Sequence, residues 1–85
     1  MPTITAVVGS ADGLHARPAG IIAEAAEELD ADIEIGLPGD EPVDAASALM
    51  IMTLGADKGA TVEVTGDDEA AVAAIVALVE KDLDA

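Results

Sequence analysis

The chain has 85 residues, 18 of them acidic against 3 basic and a single histidine, for a formal net charge of −15. That length fits one small domain, residues 1–85; a domain of this size buries only about 60% of its unfolded surface and has little margin for a second core. With no aromatic residue, no cysteine and no basic stripe, the sequence excludes a nucleic-acid platform, a disulfide framework and a thiolate metal site.

So acidic a chain invites a disordered reading, but 52% of it is hydrophobic and that fraction is periodic, so an aliphatic core is expected. Met1-Pro2-Thr3 lacks the basic opening of a signal peptide, and no apolar run approaches the roughly 20 residues of a membrane span. A cytoplasmic location without membrane insertion is therefore expected. From Pro2 to Val8, Ile4, Ala6 and Val8 alternate with Thr3, Thr5 and Val7, the pattern of a half-buried strand. Gly9 to Gly13 form a loop.

The next stretch, Gly13-Leu14-His15-Ala16-Arg17-Pro18-Ala19, holds the only histidine and the only arginine. Pro18 suits a position near the start of a helix, and Ile21, Ile22, Ala25, Ala26 and Leu29 share one face of a helix spanning about Ala16 to Leu29. His15 then stands just before the helix, where first-turn amides lack internal partners and carry the positive end of the dipole. An anion is favoured there, and Arg17 can add a charge-assisted contact to it. Histidine nucleophile, arginine clamp and amide cradle suit a phosphohistidine site. The competing reading is that His15 only caps the helix or packs beneath the loop.

Asp30-Ala31-Asp32 ends this helix. Ile33, Ile35 and Leu37 alternate as a second strand, Pro38-Gly39-Asp40-Glu41 turns, and a short third strand around Pro42 to Asp44 returns at an edge. Asp44 to Ser47 lead into Ala48-Leu49-Met50-Ile51-Met52-Thr53-Leu54, a short apolar helix ended by Gly55. Its side chains are either all core or partly exposed as a docking patch, for which adaptable methionines are well suited. Ala60 to Thr65 form the last strand. Asp67, Asp68 and Glu69 open a terminal helix whose buried stripe is Val72, Ile75, Val76, Val79 and Leu83, with Lys81 in its last turns. The order β-α-β-β-α-β-α is that of an α+β sandwich, helices over one face of an antiparallel sheet.

Two segments resemble the HPr family, histidine phosphocarriers of the phosphoenolpyruvate-dependent sugar phosphotransferase system. Gly13 to Ala19 is similar to its active-site signature, and Ser47 to Gly55 to its Ser-hydrophobic-Met-x-hydrophobic-Met-Ser/Thr-Leu-Gly segment. The resemblance implies an open-faced β-sandwich, a four-stranded antiparallel sheet covered on one face by three helices. It implies a carrier, not an enzyme, that takes a phosphoryl group from enzyme I on Nδ1 of His15 and passes it to a sugar-specific enzyme IIA. Arg17 and the first-turn amides, Ala16 and Arg17, would hold the phosphoryl group, and Ala48, Leu49 and Met52 would dock the partners. No cofactor or metal is implied, and a monomer is expected. A regulatory paralogue, signalling through its phosphorylation state, would keep the same motifs.

The chain departs from the family where basic partner-facing residues are common: Glu24, Glu27 and Met50 stand there instead. Ser47 falls where some bacterial members carry a regulatory phosphoserine, but a cap for the short helix is the stronger reading. A small-molecule-binding domain would need a pocket for which this core has little room, and Asp67-Asp68-Glu69 is more simply a helix start than a metal cluster. Dispersed acids with only Lys58 and Lys81 as lysines also resemble proteins of salt-accumulating halophiles.

Overall fold

The computed structural model describes residues 2–83. Alternation builds β1 (Thr3–Val7), in which Ala6 is buried and Ile4 half-buried while the threonines face solvent. α1 (Ala16–Glu28), β2 (Ile33–Gly36), β3 (Val43–Asp44), α2 (Ala48–Met52), β4 (Thr61–Gly66) and α3 (Glu69–Glu80) follow. The sheet order is β1-β4-β2-β3, with every neighbouring pair antiparallel. β4 lies between β1 and β2, with Ile4 opposite Val64 and Val64 in turn opposite Ile35. Period-2 burial then puts Ala6, Val62, Val64, Ile33 and Ile35 on one face, against Ile22, Ile51, Val72, Ile75 and Val79 from the three helices. The other face carries Thr3, Thr5, Glu63 and Thr65 beside the exposed Val7, with the hydroxyls of the paired Thr3 and Thr65 2.9 Å apart. This is the open-faced α+β sandwich anticipated from the element order.

The β2–β3 hairpin turns on Pro38 and Gly39: the Asp40 amide donates to the Leu37 carbonyl at 3.0 Å, and Gly39 takes φ +84°, as a type II turn requires. β3 sits at the sheet edge, as Pro42 suggests, but it is only two residues long. β2 stops at Gly36, short of Leu37, and β4 extends to Gly66 instead of ending at Thr65.

Three helix details differ from the sequence reading. Pro18 occupies the third helical position of α1, still within the turn whose amides have no internal acceptor. α2 ends at Met52, because Thr53 caps it with its hydroxyl on the Met50 carbonyl and Gly55 turns away at φ +63°. α3 ends at Glu80, so Lys81 is its cap in extended conformation and Leu83 lies beyond it. The cause is Ser10, a buried hydroxyl that donates to the Lys81 carbonyl at 3.3 Å and accepts from the Leu83 amide at 3.2 Å. These bonds draw the chain out of the helix towards the β1–α1 loop. Gly9 permits the approach, since a Cβ there would stand 2.1 Å from the Glu80 carbonyl oxygen.

Candidate functional site

The loop that presents His15 is anchored at both ends. The Val8 amide donates to Ala60 and the Gly59 amide to Val8, continuing the β1–β4 pairing, while the Gly9 amide donates to Val79 at the end of α3. Residues 10–13 then turn, the Gly13 amide donating to the Ser10 carbonyl at 2.9 Å with Gly13 at φ +77°. A Cβ on Gly13 would also lie 2.4 Å from the Ala56 carbonyl oxygen, so glycine is required by both conformation and space. Leu14 is buried and its amide donates to that same carbonyl at 2.9 Å. The chain is thus pinned one residue before the histidine.

His15 is the N-cap of α1 in extended conformation, and its carbonyl accepts the Ala19 amide at 2.9 Å. Because Pro18 has no amide hydrogen, Ala16 and Arg17 supply the first-turn amides that α1 leaves without a helical acceptor, and both residues are exposed. No acidic residue occupies this turn. The Arg17 side chain makes no hydrogen bond or ion pair with any described residue. Half-buried His15 borders a shallow depression of about 160 Å³, which Asp12, Met52, Ala56 and Asp57 help to line.

α2 borders the same ground. Ser47 caps it, its Oγ accepting from the Met50 amide at 3.3 Å. Ile51 is fully buried, whereas Leu49 is 68%, Met50 42% and Met52 36% exposed, so the segment divides between core and surface. Met52 lines the depression that His15 borders. Ala48 instead borders a second hollow with Ala23, Glu24 and Glu27 along the flank of α1. Sequence reading passed over Asp12 and Asp57, which line the depression beside His15 from two loops; no motif marks them, and the second loop is placed here by the contacts of Gly13 and Leu14 with Ala56. No group of three or more potential metal ligands occurs among the described residues.

A family model described as "PTS HPr component phosphorylation site" matches residues 2–81. The chain belongs to the HPr family. It is 43% identical over 68 residues to phosphocarrier protein HPr of Streptomyces coelicolor, covering 80% of this chain and 73% of the relative. To phosphocarrier protein HPr of Haloferax volcanii it is 40% identical over 75 residues, covering 87% and 84%. Among solved structures, HPr from Thermoanaerobacter tengcongensis superposes with a TM-score of 0.86 at 31% identity, over 100% of this chain and 98% of that one. As an HPr it is a phosphocarrier of the phosphotransferase system, a member of a relay and not itself a catalyst. No helix of the described residues is long and apolar enough to cross a membrane.

Proposed function

We propose that His15 is the residue that carries the phosphoryl group, taking it from phosphorylated enzyme I and giving it to a sugar-specific enzyme IIA. The observation that carries this reading is the placement of His15 as N-cap of α1, beside two exposed residues whose amides have no helical acceptor, one of them an arginine engaged by no described residue. In the loading step the lone pair of Nδ1 forms the new bond to phosphorus as the bond to the donor atom breaks, that electron pair staying with the donor. Unloading is the reverse, with the enzyme IIA nucleophile in place of His15. Charge on the equatorial oxygens falls to the Ala16 and Arg17 amides and to the Arg17 guanidinium, and the fixed helix end needs no reorganisation to meet it. The chain supplies the nucleophile and this cradle, and the partner supplies the rest.

Docking belongs to the exposed side of α2. Leu49 and Met52 give an adaptable apolar surface beside the histidine, with Ala48 at its margin towards α1. Ser47 serves the helix as its cap. The whole chain works as one monomeric carrier domain in the cytoplasm, and its acid-dominated surface suits a concentrated salt medium. Adding phosphoenolpyruvate, enzyme I and a candidate enzyme IIA, and following the phosphoryl group by intact mass, tests the relay. The carrier should gain one phosphoryl group with enzyme I alone and lose it when enzyme IIA is added. A carrier that loads but is never unloaded by any enzyme IIA of its host would remove the transport role and leave the regulatory one.

A further inference from the structure

We infer that Asp12 and Asp57 set the phosphoryl-transfer potential of the carrier by repelling the loaded state. The inference rests on the reading that His15 is the phosphoryl acceptor. Asp12 comes from the turn before α1 and Asp57 from the loop after α2, and both line the depression that His15 borders. Neither side chain holds the fold together. Asp44 and Asp68 bind backbone amides, but the carboxylates of Asp12 and Asp57 make no hydrogen bond or ion pair among the described residues. Both residues are exposed, and their lining of this depression sets their charge beside His15.

The asymmetry between the two states of the carrier makes this consequential. Loading adds to His15 a phosphoryl group that brings about two negative charges at neutral pH, and the carboxylates act on that added charge. Like charges at a surface repel weakly but additively. The repulsion therefore raises the free energy of the loaded carrier relative to the empty one. In the transfer itself the PO₃ group moves, the His15 lone pair forming one bond to phosphorus as the donor bond breaks; the two aspartates touch no reacting atom. They bias how readily the group leaves. Arg17 pulls the other way from the first turn, so the two aspartates offset part of the hold it gives on the group.

The test is the loading constant, measured by intact mass at equilibrium with enzyme I, phosphoenolpyruvate and pyruvate, and expressed as variant over wild type so that the energetics of enzyme I cancel. Replacing both residues, Asp12→Asn with Asp57→Asn, should raise it roughly three- to tenfold at 0.1 M KCl, with each single change in between. At 2 M KCl the ratio should fall to near one, because screening confines the repulsion to about 3 Å or less. Asp30→Asn with Asp67→Asn removes the same charge at the opposite end of the sheet, where β1 and β2 begin, and should have under half the effect. An unchanged constant in the double variant, a ratio that ignores salt, or an equal shift in the distant pair would each overturn the inference. A phosphoryl group found elsewhere than His15 would instead remove the reading on which it rests.

Discussion

Arg17 is the one guanidinium of the chain, exposed at the second position of α1 and engaged by no described residue. On the proposed reading, truncating it takes a donor from the developing phosphoryl charge and breaks no bond among the described residues. Arg17→Ala should still load at His15, but about 10²- to 10³-fold more slowly, as loss of one charge-stabilising donor costs about 2.7–4 kcal/mol of barrier. Rapid-quench transfer from enzyme I measures it, and a wild-type rate would refute the clamp. Ser47 is the contrasting case, a hydroxyl occupied by the Met50 amide. Ser47→Ala should cost about 1 kcal/mol in chemical denaturation and leave loading at His15 unchanged. At this scale the sequence was most legible where chemistry is contiguous: His15, Arg17 and Pro18 lie within one turn. Asp57 was illegible because its loop is brought beside the His15 loop by the Gly13 and Leu14 contacts with Ala56, which no local pattern encodes.

α2 shows what an element can hide. Its five residues make little more than one turn, too short for a helical period to separate faces, so the apolar run Leu49-Met50-Ile51-Met52 read equally as core and as docking surface. It is divided between buried and exposed side chains. Ile51 points into the core from a helix whose other large side chains are exposed, and the two environments make opposite predictions. Ile51→Ala should destabilise the fold by about 2–5 kcal/mol. Leu49→Asp and Met52→Asp should leave the melting temperature nearly unchanged and raise the KM for enzyme I; an unchanged KM in a folded protein would take these side chains out of the docking surface. The long, strongly periodic α1 was readable to within a residue, since thirteen positions repeat its pattern. The end of α3 was not, because the buried hydroxyl of Ser10, far away in sequence, decides where the chain leaves the helix.

At the scale of the molecule, fold and charge pull apart. Alternating strands and two amphipathic helices carried enough pattern to give the element order, while β4 between β1 and β2 follows from long-range pairing that no single segment shows. Over that fold lies a net charge of −15 with only three cationic side chains to offset it. Screening shortens the reach of exposed carboxylates from about 10 Å at 0.1 M salt to about 3 Å at 1 M. The melting temperature should therefore rise between 0.1 and 2 M KCl, and transfer to an equally acidic partner should quicken; a flat or falling melting temperature would contradict this, and slowing transfer would mean a partner with a basic face. Cradle, docking face and flanking charge are all proposed to act on one chemical event, the carriage of the phosphoryl group on His15. The measurement that tests it most directly is peptide-level mapping of that group after incubation with phosphoenolpyruvate and enzyme I, on the wild type and on folded His15→Ala. A single acid-labile phosphoryl group on the peptide containing His15, absent from the variant, is the predicted result, and a variant that still acquires the group would contradict it.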